Sequence, residues 1–276
     1  MDNGCNRWSI ISRLHLVLSA TLLFFCLFCL GTESLASAAP LSKIQERGYL
    51  IVGIKDNIRP LGFRDANSNL QGLEIDLAKE LAKDLLGKAD AVRFQPVANR
   101  DRLSVVFEDK VDFAIARITA TESRARLVSF SVPYYFESVN LVTKNTSARE
   151  LKDLNSLKIA VLNNSSTIYQ VKNFIPKSEL VGVDSYSAAR EKLESNQADA
   201  FAADGSVLSG WVQENPEYRL ITTRLSAQPL SVAMPKGLQY DELRRRVNGA
   251  IARYIATGWL KQRAESWGLI TGEETR

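Results

Sequence analysis

The chain has 276 residues, a length that indicates one large or two modest domains. Its formal net charge of +4 is small and evenly spread, which argues against nucleic acid as a partner. All three cysteines and the single histidine precede residue 39. The rest of the chain therefore offers no cysteine nucleophile, Ser–His pair, disulfide or common zinc site, and we expect no metal and no cofactor.

The first 38 residues have the order of a secretory signal peptide. Two arginines precede an apolar run at 16–30, and small residues at 36–38 suit a cleavage site. A permanent membrane anchor is the alternative, but this run is shorter than the roughly 20 residues that span a bilayer. Because Phe25, not a small residue, precedes Cys26, we expect a soluble periplasmic product rather than a lipoprotein.

The next stretch predicts strands alternating with helices. Strands are predicted at 50–54, 92–97 and 111–118, and helices at 73–86 and 102–108. The first helix carries a leucine at every fourth position between Gly72 and Gly87, and the acidic Glu74 in its first turn suits the helix dipole. This β-α-β-α-β order favours a parallel sheet covered by helices.

A polar turn at 119–124 follows the third predicted strand. Thr119 can cap a helix that begins there, and Arg124 can fold back over the same spot. A hydroxyl, backbone N–H groups and a forked cation would then face one small anion, ideally a carboxylate. The alternative is that Thr119 is an ordinary cap and Arg124 a solvated surface charge.

After residue 138 the same architecture repeats in fewer residues. Strands are predicted at 157–162, 180–183, 198–203 and 218–221, and helices at 168–174, 187–195 and 207–214. We therefore predict an α/β protein of two lobes, with lobe 1 formed by 39–138 and 234–276 and lobe 2 by 144–228. Hinge strands at 139–143 and 229–233 would connect them. Ligand sites in such units lie where the carboxyl ends of strands face each other across a cleft.

An ordered set of motifs extends over roughly residues 41 to 270. These are GIKDNIRPLGF, GLEIDLAKELA, VDFAIARITATESR, FSVPYY, LKIAVLNNSST and ADAFAAD. The set resembles the bacterial extracellular solute-binding proteins of polar amino-acid ABC transporters (family 3). The resemblance implies a type II periplasmic-binding-protein fold, with two parallel-rich sheets flanked by helices and joined by two crossover strands. It also implies a monomer that performs no catalysis, closes over one free amino acid and delivers it to an inner-membrane ABC permease.

The resemblance assigns roles to five residues of this chain. Arg124 resembles the arginine that clamps the ligand α-carboxylate, and Thr119 resembles its partner hydroxyl. Ser166 and Thr167 match residues that reach the same carboxylate from the second lobe. Asp204 resembles the acid that receives the α-ammonium. A zwitterion requires such opposite charges at its two ends, and each charge-assisted hydrogen bond contributes about 1.5–3 kcal/mol.

Several positions depart from the family pattern. Ile58 and Asn99 stand near positions that are aromatic in several relatives. Lys55 stands where an aspartate is common, Arg117 stands where a small residue is usual, and Arg102 lies on the adjacent predicted helix. Three cations near the side-chain pocket suggest an acidic amino acid, glutamate or aspartate, or else glutamine. The alternative is that Lys55 and Arg102 form surface ion pairs.

Two other classes of function stay open. Some proteins of this fold are exported dehydratases that act on prephenate- or arogenate-like substrates and use a carboxylic acid as general acid. Glu122 and Glu137 lie close enough in sequence to the predicted site to serve that role. A receptor input module is the third alternative.

Overall fold

The computed structural model describes residues 39–163 and 165–271. The predicted signal peptide lies outside these residues. The strands are β1 (Leu50–Ile54), β2 (Asn57–Ile58), β3 (Gly62–Arg64), β4 (Leu70–Gln71), β5 (Val92–Pro96), β6 (Phe113–Ile115), β7 (Ser129–Phe130), β8 (Tyr135–Glu137), β9 (Val139–Thr143), β10 (Lys158–Leu162), β11 (Glu179–Val183), β12 (Ala200–Asp204), β13 (Arg219–Ile221), β14 (Gln228–Leu230) and β15 (Ala233–Met234).

Helices pack on both sheets, and the C-terminal part of the described chain is helical. They are α1 (Leu41–Arg47), α2 (Leu73–Leu86), α3 (Ser104–Phe107), α4 (Thr167–Phe174), α5 (Tyr186–Glu194), α6 (Gly205–Glu214), α7 (Asp241–Ala256) and α8 (Trp259–Ser266), with 3-10 turns at Arg124–Arg126, Leu151–Leu154 and Leu238–Tyr240. None of the helices in residues 39–163 and 165–271 combines the length and apolar composition that crossing a bilayer requires.

The first sheet has the strand order β5-β1-β6-β15-β7. Strand β1 pairs in parallel with β5 and β6, while β15 runs antiparallel to β6 and β7. Every residue of β1 is buried, as a central strand with helices on both faces requires. We call the part of the protein built on this sheet the first lobe.

Helix α2 packs on the first sheet with the apolar face that the leucine spacing predicted. Leu73, Leu77 and Leu81 are fully buried. The helix ends at Gly87, whose φ of 80° is the left-handed conformation that favours glycine at a C-cap. Glu74, at the second position of the helix, is also fully buried and so points away from solvent.

The second sheet has the strand order β11-β10-β12-β9-β13. Strand β10 pairs in parallel with β11 and β12, and β9 runs antiparallel to β12 and β13. Helices α4, α5 and α6 pack on it, and we call this part the second lobe. The predicted fold class is confirmed, since two parallel-rich sheets with helical cover are joined by two crossing segments.

The crossing between the lobes lies one element earlier than the sequence predicted. The segment 139–143, predicted as a hinge strand, is instead an inner strand of the second sheet. Strand β8 pairs antiparallel with β14, and these two form the ladder that lies between the sheets. The predicted hinge strand at 229–233 overlaps this ladder at its beginning. The remaining lobe boundaries stay a prediction.

Candidate functional site

A cavity of about 620 Å³ lies between the two lobes. Its walls include Ile58, Arg59 and Arg117 from the first lobe and Tyr186, Arg190 and Trp211 from the second. The lobes approach closely beside it, because a Cβ added to Gly210 of α6 would lie only 2.7 Å from the carbonyl oxygen of Arg59. Glycine at this position therefore permits the contact between the lobes.

Arg117 follows β6, where the carboxyl end of the strand meets the cleft. Its φ of 51° lies in the left-handed region, which is uncommon for a residue with a side chain. Two contacts hold this conformation. The Arg117 backbone N–H donates to Oε1 of Glu74 at 2.7 Å, and the Arg117 carbonyl accepts from Nη1 of Arg102 at 2.6 Å. The backbone is thus fixed so that the side chain reaches the second lobe.

The guanidinium of Arg117 forms an ion pair with the carboxylate of Asp204, at the end of β12. Its Nε also lies 3.4 Å from Oε2 of Glu137. Burial alone would lower the pKa of Arg117, but the Asp204 and Glu137 carboxylates outweigh burial and raise it. Arg117 is therefore a permanent cation placed between two acids.

Glu137 is the buried acid of this group. Its Oε1 accepts from the backbone N–H groups of Ser206 at 3.0 Å and Ser138 at 3.1 Å, and the Ser206 hydroxyl donates to Oε2. Burial raises the pKa of Glu137, while the Arg117 cation and the Ser206 hydrogen bonds oppose that rise. Both Glu137 oxygens are consequently occupied by protein donors.

Arg124 lies at the start of a single 3-10 turn, not in the helix that the sequence predicted from Thr119. Its Nη1 donates to the backbone carbonyl of Thr119 at 2.9 Å. The predicted fold-back of Arg124 onto Thr119 is therefore present, although the helix is not. Within residues 39–163 and 165–271, no carboxylate forms an ion pair with Arg124.

Arg102 lies near two other cations, Arg117 and Arg124. Burial lowers the pKa of Arg102, and the neighbouring cations of Arg124 and then Arg117 lower it further. Its guanidinium donates to the carbonyls of Asn99 and Ala116 as well as to that of Arg117. Arg102 thus holds the loop that carries Arg117 and adds positive charge beside Arg124.

Lys55 does not line the cavity. Its ammonium donates to the Val97 carbonyl at 2.8 Å, and the residue is only 5% exposed. Burial lowers the pKa of Lys55, and the Arg102 cation lowers it further. The structure gives Lys55 a contact within the first lobe, and its predicted role toward the ligand stays a prediction.

Ser166 and Thr167 stand at the beginning of α4, as predicted. Ser166 is the N-cap residue and is exposed, whereas Thr167 is buried with its N–H donating to the Ser165 hydroxyl at 3.0 Å. Neither lines the 620 Å³ cavity or contacts the Arg117–Asp204 pair in the described structure. Of the eight predicted site residues, only Arg117 lines the cavity. Arg117 contacts Asp204 and Arg102, and Arg124 contacts Thr119, whereas Ser166 and Thr167 lie apart from these contacts.

Sequence reasoning missed the positioning role of Glu74. Its Oε1 accepts from the Tyr134 hydroxyl at 2.6 Å as well as from the Arg117 N–H, and burial raises its pKa against these hydrogen bonds. An acid between Leu73 and Ile75, on the apolar face of a helix, was the signal in the sequence. The position of Glu74 in the first turn of the helix predicted only a favourable interaction with the helix dipole.

Among the described residues, no group of three or more histidine, cysteine, aspartate or glutamate side chains is placed to hold a metal ion. The site instead combines the Arg117–Asp204 ion pair between the lobes with a cavity wall whose charged residues are Arg59, Arg117, Arg190 and Glu214. The described residues thus form two lobes with a cavity between them whose wall carries three arginines.

Comparisons with known proteins identify the family. The description "Bacterial extracellular solute-binding proteins, family 3" matches residues 50–270, and the chain belongs to this family. It is similar to the glutamine-binding protein of Geobacillus stearothermophilus, with 28% identity over 75% of this chain and 80% of that protein. It is also similar to the L-cystine-binding protein TcyJ of Escherichia coli, with 25% identity over 86% and 89%.

Solved structures support the fold. A structure of an ancestral cationic amino acid solute-binding protein matches with a TM-score of 0.70 and 28% identity, over 83% of this chain and 99% of that one. A second structure, described as an ancestral amino-acid-binding protein and a precursor of cyclohexadienyl dehydratase, matches with a TM-score of 0.61 and 28% identity, over 83% and 98%. The chain therefore has the type II fold of amino-acid-binding proteins, as the sequence predicted.

Proposed function

We propose that this protein is the periplasmic substrate-binding component of an amino-acid ABC transporter. It closes over one polar, acidic amino acid, glutamate or aspartate or else glutamine, and delivers it to the membrane permease. Family membership supports the transport role, since the relatives named above bind amino acids. The positive charge of the cleft supports the acidic ligand.

The observation that carries the proposal is that the guanidinium of Arg124 has no carboxylate partner among the described residues. Like charges this close to one another are unfavourable unless an anion neutralises them, and the Arg102 cation is close enough to be affected by Arg124. Arg117 has its two carboxylates, whereas Arg124 contacts the Thr119 carbonyl. A ligand carboxylate is the natural partner for the planar fork of Arg124.

Calorimetric titration of the purified protein with the twenty L-amino acids tests this proposal. We expect an acidic amino acid or glutamine to bind with a micromolar or lower Kd. Arg124→Ala should weaken binding by about 100-fold, because one charge-assisted hydrogen-bonding group is worth about 1.5–3 kcal/mol and each 1.4 kcal/mol is tenfold.

Arg126→Ala is the matched control for Arg124→Ala. Arg126 belongs to the same 3-10 turn and is exposed, so its loss removes the same charge without removing the contact with Thr119. Affinity should change less than threefold. Normal binding by Arg124→Ala, or equal losses in both variants, would show that Arg124 does not hold the ligand.

An exported dehydratase is the second candidate. Glu137 favours it, because a buried carboxyl with a raised pKa beside a cationic cleft could act as a general acid. The structural neighbour described as a precursor of cyclohexadienyl dehydratase is in line with this alternative. Incubation with prephenate or arogenate decides the matter: an aromatic product lost in Glu137→Gln would establish the enzyme, and no turnover would exclude it.

A further inference from the structure

Asp204 is already neutralised by the protein's own cation. The acid was predicted to receive the ligand's α-ammonium, yet the guanidinium of Arg117 forms an ion pair with it. The two residues belong to different lobes and lie 87 positions apart in the chain. The contact is thus made across the cleft.

The surrounding structure holds Arg117 in this position. The left-handed backbone is fastened on one side by Glu74 and on the other by Arg102, both of which reach Arg117 from other parts of the first lobe. The Arg117 side chain is 21% exposed. An unfavourable backbone conformation persists only where neighbouring residues enforce it. The surrounding structure therefore fixes the position of the Arg117 guanidinium, unlike that of a free surface side chain.

Among the described residues, every carboxylate that lines the cavity or contacts Arg117 has a cationic partner. Glu137 is occupied by Ser206, Ser138 and Arg117. Glu214, which lines the cavity, lies 3.3 Å from Nε of Arg59.

The remaining charged residues around the cavity also disfavour a ligand ammonium. Glu74 is fully buried and accepts from within the first lobe. The cavity wall instead carries three arginines, at positions 59, 117 and 190. A ligand ammonium would have to share Asp204 with Arg117, and nearby cations would repel it.

We propose that Arg117 takes the place of the ligand's α-ammonium at Asp204, so that recognition does not require an amino group. Acidic ligands that lack this group, the 2-oxo and 2-hydroxy dicarboxylic acids, bind at least as tightly as glutamate and aspartate. The inference rests on the proposed function, because a ligand carboxylate is still held by Arg124. Arg117 is thereby a specificity-determining residue.

Paired titrations of the wild-type protein test the inference directly. The pairs are 2-oxoglutarate with L-glutamate and L-malate with L-aspartate, whose members differ in the group at the α-carbon. We expect each acid without the amino group to have a Kd equal to or lower than that of its amino acid. This comparison requires no variant, so it stands even if a substitution prevents folding.

Arg117→Gly sharpens the test. Glycine adopts the left-handed backbone without strain, so the loop keeps its conformation while Asp204 loses its internal partner. We expect the ratio of the 2-oxoglutarate Kd to the L-glutamate Kd to rise at least tenfold over wild type. Arg190→Ala is the control, since it removes another cavity cation that does not contact Asp204 and should weaken both ligands by the same factor.

The outcomes separate the inference from the proposed function. If wild-type protein binds L-glutamate or L-aspartate more tightly than its partner acid, the inference is overturned and the proposed function stands. An unchanged Kd ratio in a folded Arg117→Gly variant also overturns the inference. If none of the four acids binds and no amino acid does so either, the proposed function fails as well.

Discussion

Arg117 and Arg124 stand seven positions apart on one segment of the first lobe, yet their surroundings differ in kind. Arg117 contacts two carboxylates, that of Glu137 through Nε and that of Asp204 through Nη2, and bridges the lobes. Arg124 contacts a backbone carbonyl and has a second arginine as its neighbour. One charge is therefore neutralised by the protein's own carboxylates, whereas the other has no carboxylate partner among the described residues. Counting cations in a cleft does not reveal this difference; their individual contacts do.

Asp204→Asn should have the largest effect on stability, because it removes the carboxylate that pairs with Arg117. The free energy of unfolding should fall by about 1–2 kcal/mol, less than the 3–5 kcal/mol for breaking a fully buried pair, because the side chains of Arg117 and Asp204 are 21% and 32% exposed. Urea titration at neutral pH measures the change.

Glu214→Gln serves as the control for Asp204→Asn. It breaks the other ion pair between the lobes, Arg59–Glu214, whose side chains are 37% and 65% exposed. Solvent screening should limit its effect to below about 0.5 kcal/mol. Equal losses in the two variants would mean that the Arg117–Asp204 pair is no more important than an ordinary surface contact.

A smaller effect, visible as pH dependence, should follow from Glu74→Gln. Burial raises the pKa of Glu74 in the folded protein above the usual value of about 4.3, so the folded state binds a proton that the unfolded state has released. The free energy of unfolding of the wild type therefore falls as pH rises through that window. Glutamine binds no proton, and the variant should lose less stability as pH rises from about 4.5 to 7.

Urea titrations at several pH values measure the slope, and Glu80→Gln on the same helix is the control. Glu80 lies 3.3 Å from Lys83 and does not contact Arg117 or Tyr134, so its replacement controls for the loss of one carboxylate from α2. Parallel pH profiles for wild type and Glu74→Gln would show that Glu74 is not the proton-binding group. The hydrogen bond from the Arg117 N–H to Glu74 would then not depend on protonation of the Glu74 carboxyl.

The smallest effect on ligand affinity should come from Lys55→Met. Lys55 donates to the Val97 carbonyl inside the first lobe, so its loss should change the Kd of an acidic ligand less than threefold. Stability should fall by about 1 kcal/mol, because the Val97 carbonyl loses a buried donor. Titration calorimetry and urea titration measure the two quantities. A tenfold loss of affinity would place Lys55 with Arg124 among the ligand-binding cations.

Local patterns predicted the elements that hold the site. The buried run at Leu50–Ile54 and the leucine spacing between Gly72 and Gly87 are local signals, and the structure confirms β1 and α2. The helix predicted from Thr119 is wrong, because its polar start is not followed by enough apolar positions on one face to bind it to the core. A single 3-10 turn results.

Long-range pairing was the part that the sequence could not predict. The segment Val139–Thr143 has the same apolar composition whether it crosses between lobes or joins a sheet, and only its pairing with β12 and β13 decides. In the same way, nothing near Arg117 or Asp204 in the sequence indicates that they meet. Their ion pair depends on how two separately built lobes face each other.

The Arg117–Asp204 contact has a consequence for access to the crevice. Whenever the two lobes move apart, this guanidinium and carboxylate separate and become hydrated, and dissolved ions then screen both of them. Added electrolyte thus favours the open form over the shut one. The ionic strength of the surrounding medium becomes one of the factors that set how often solutes can enter.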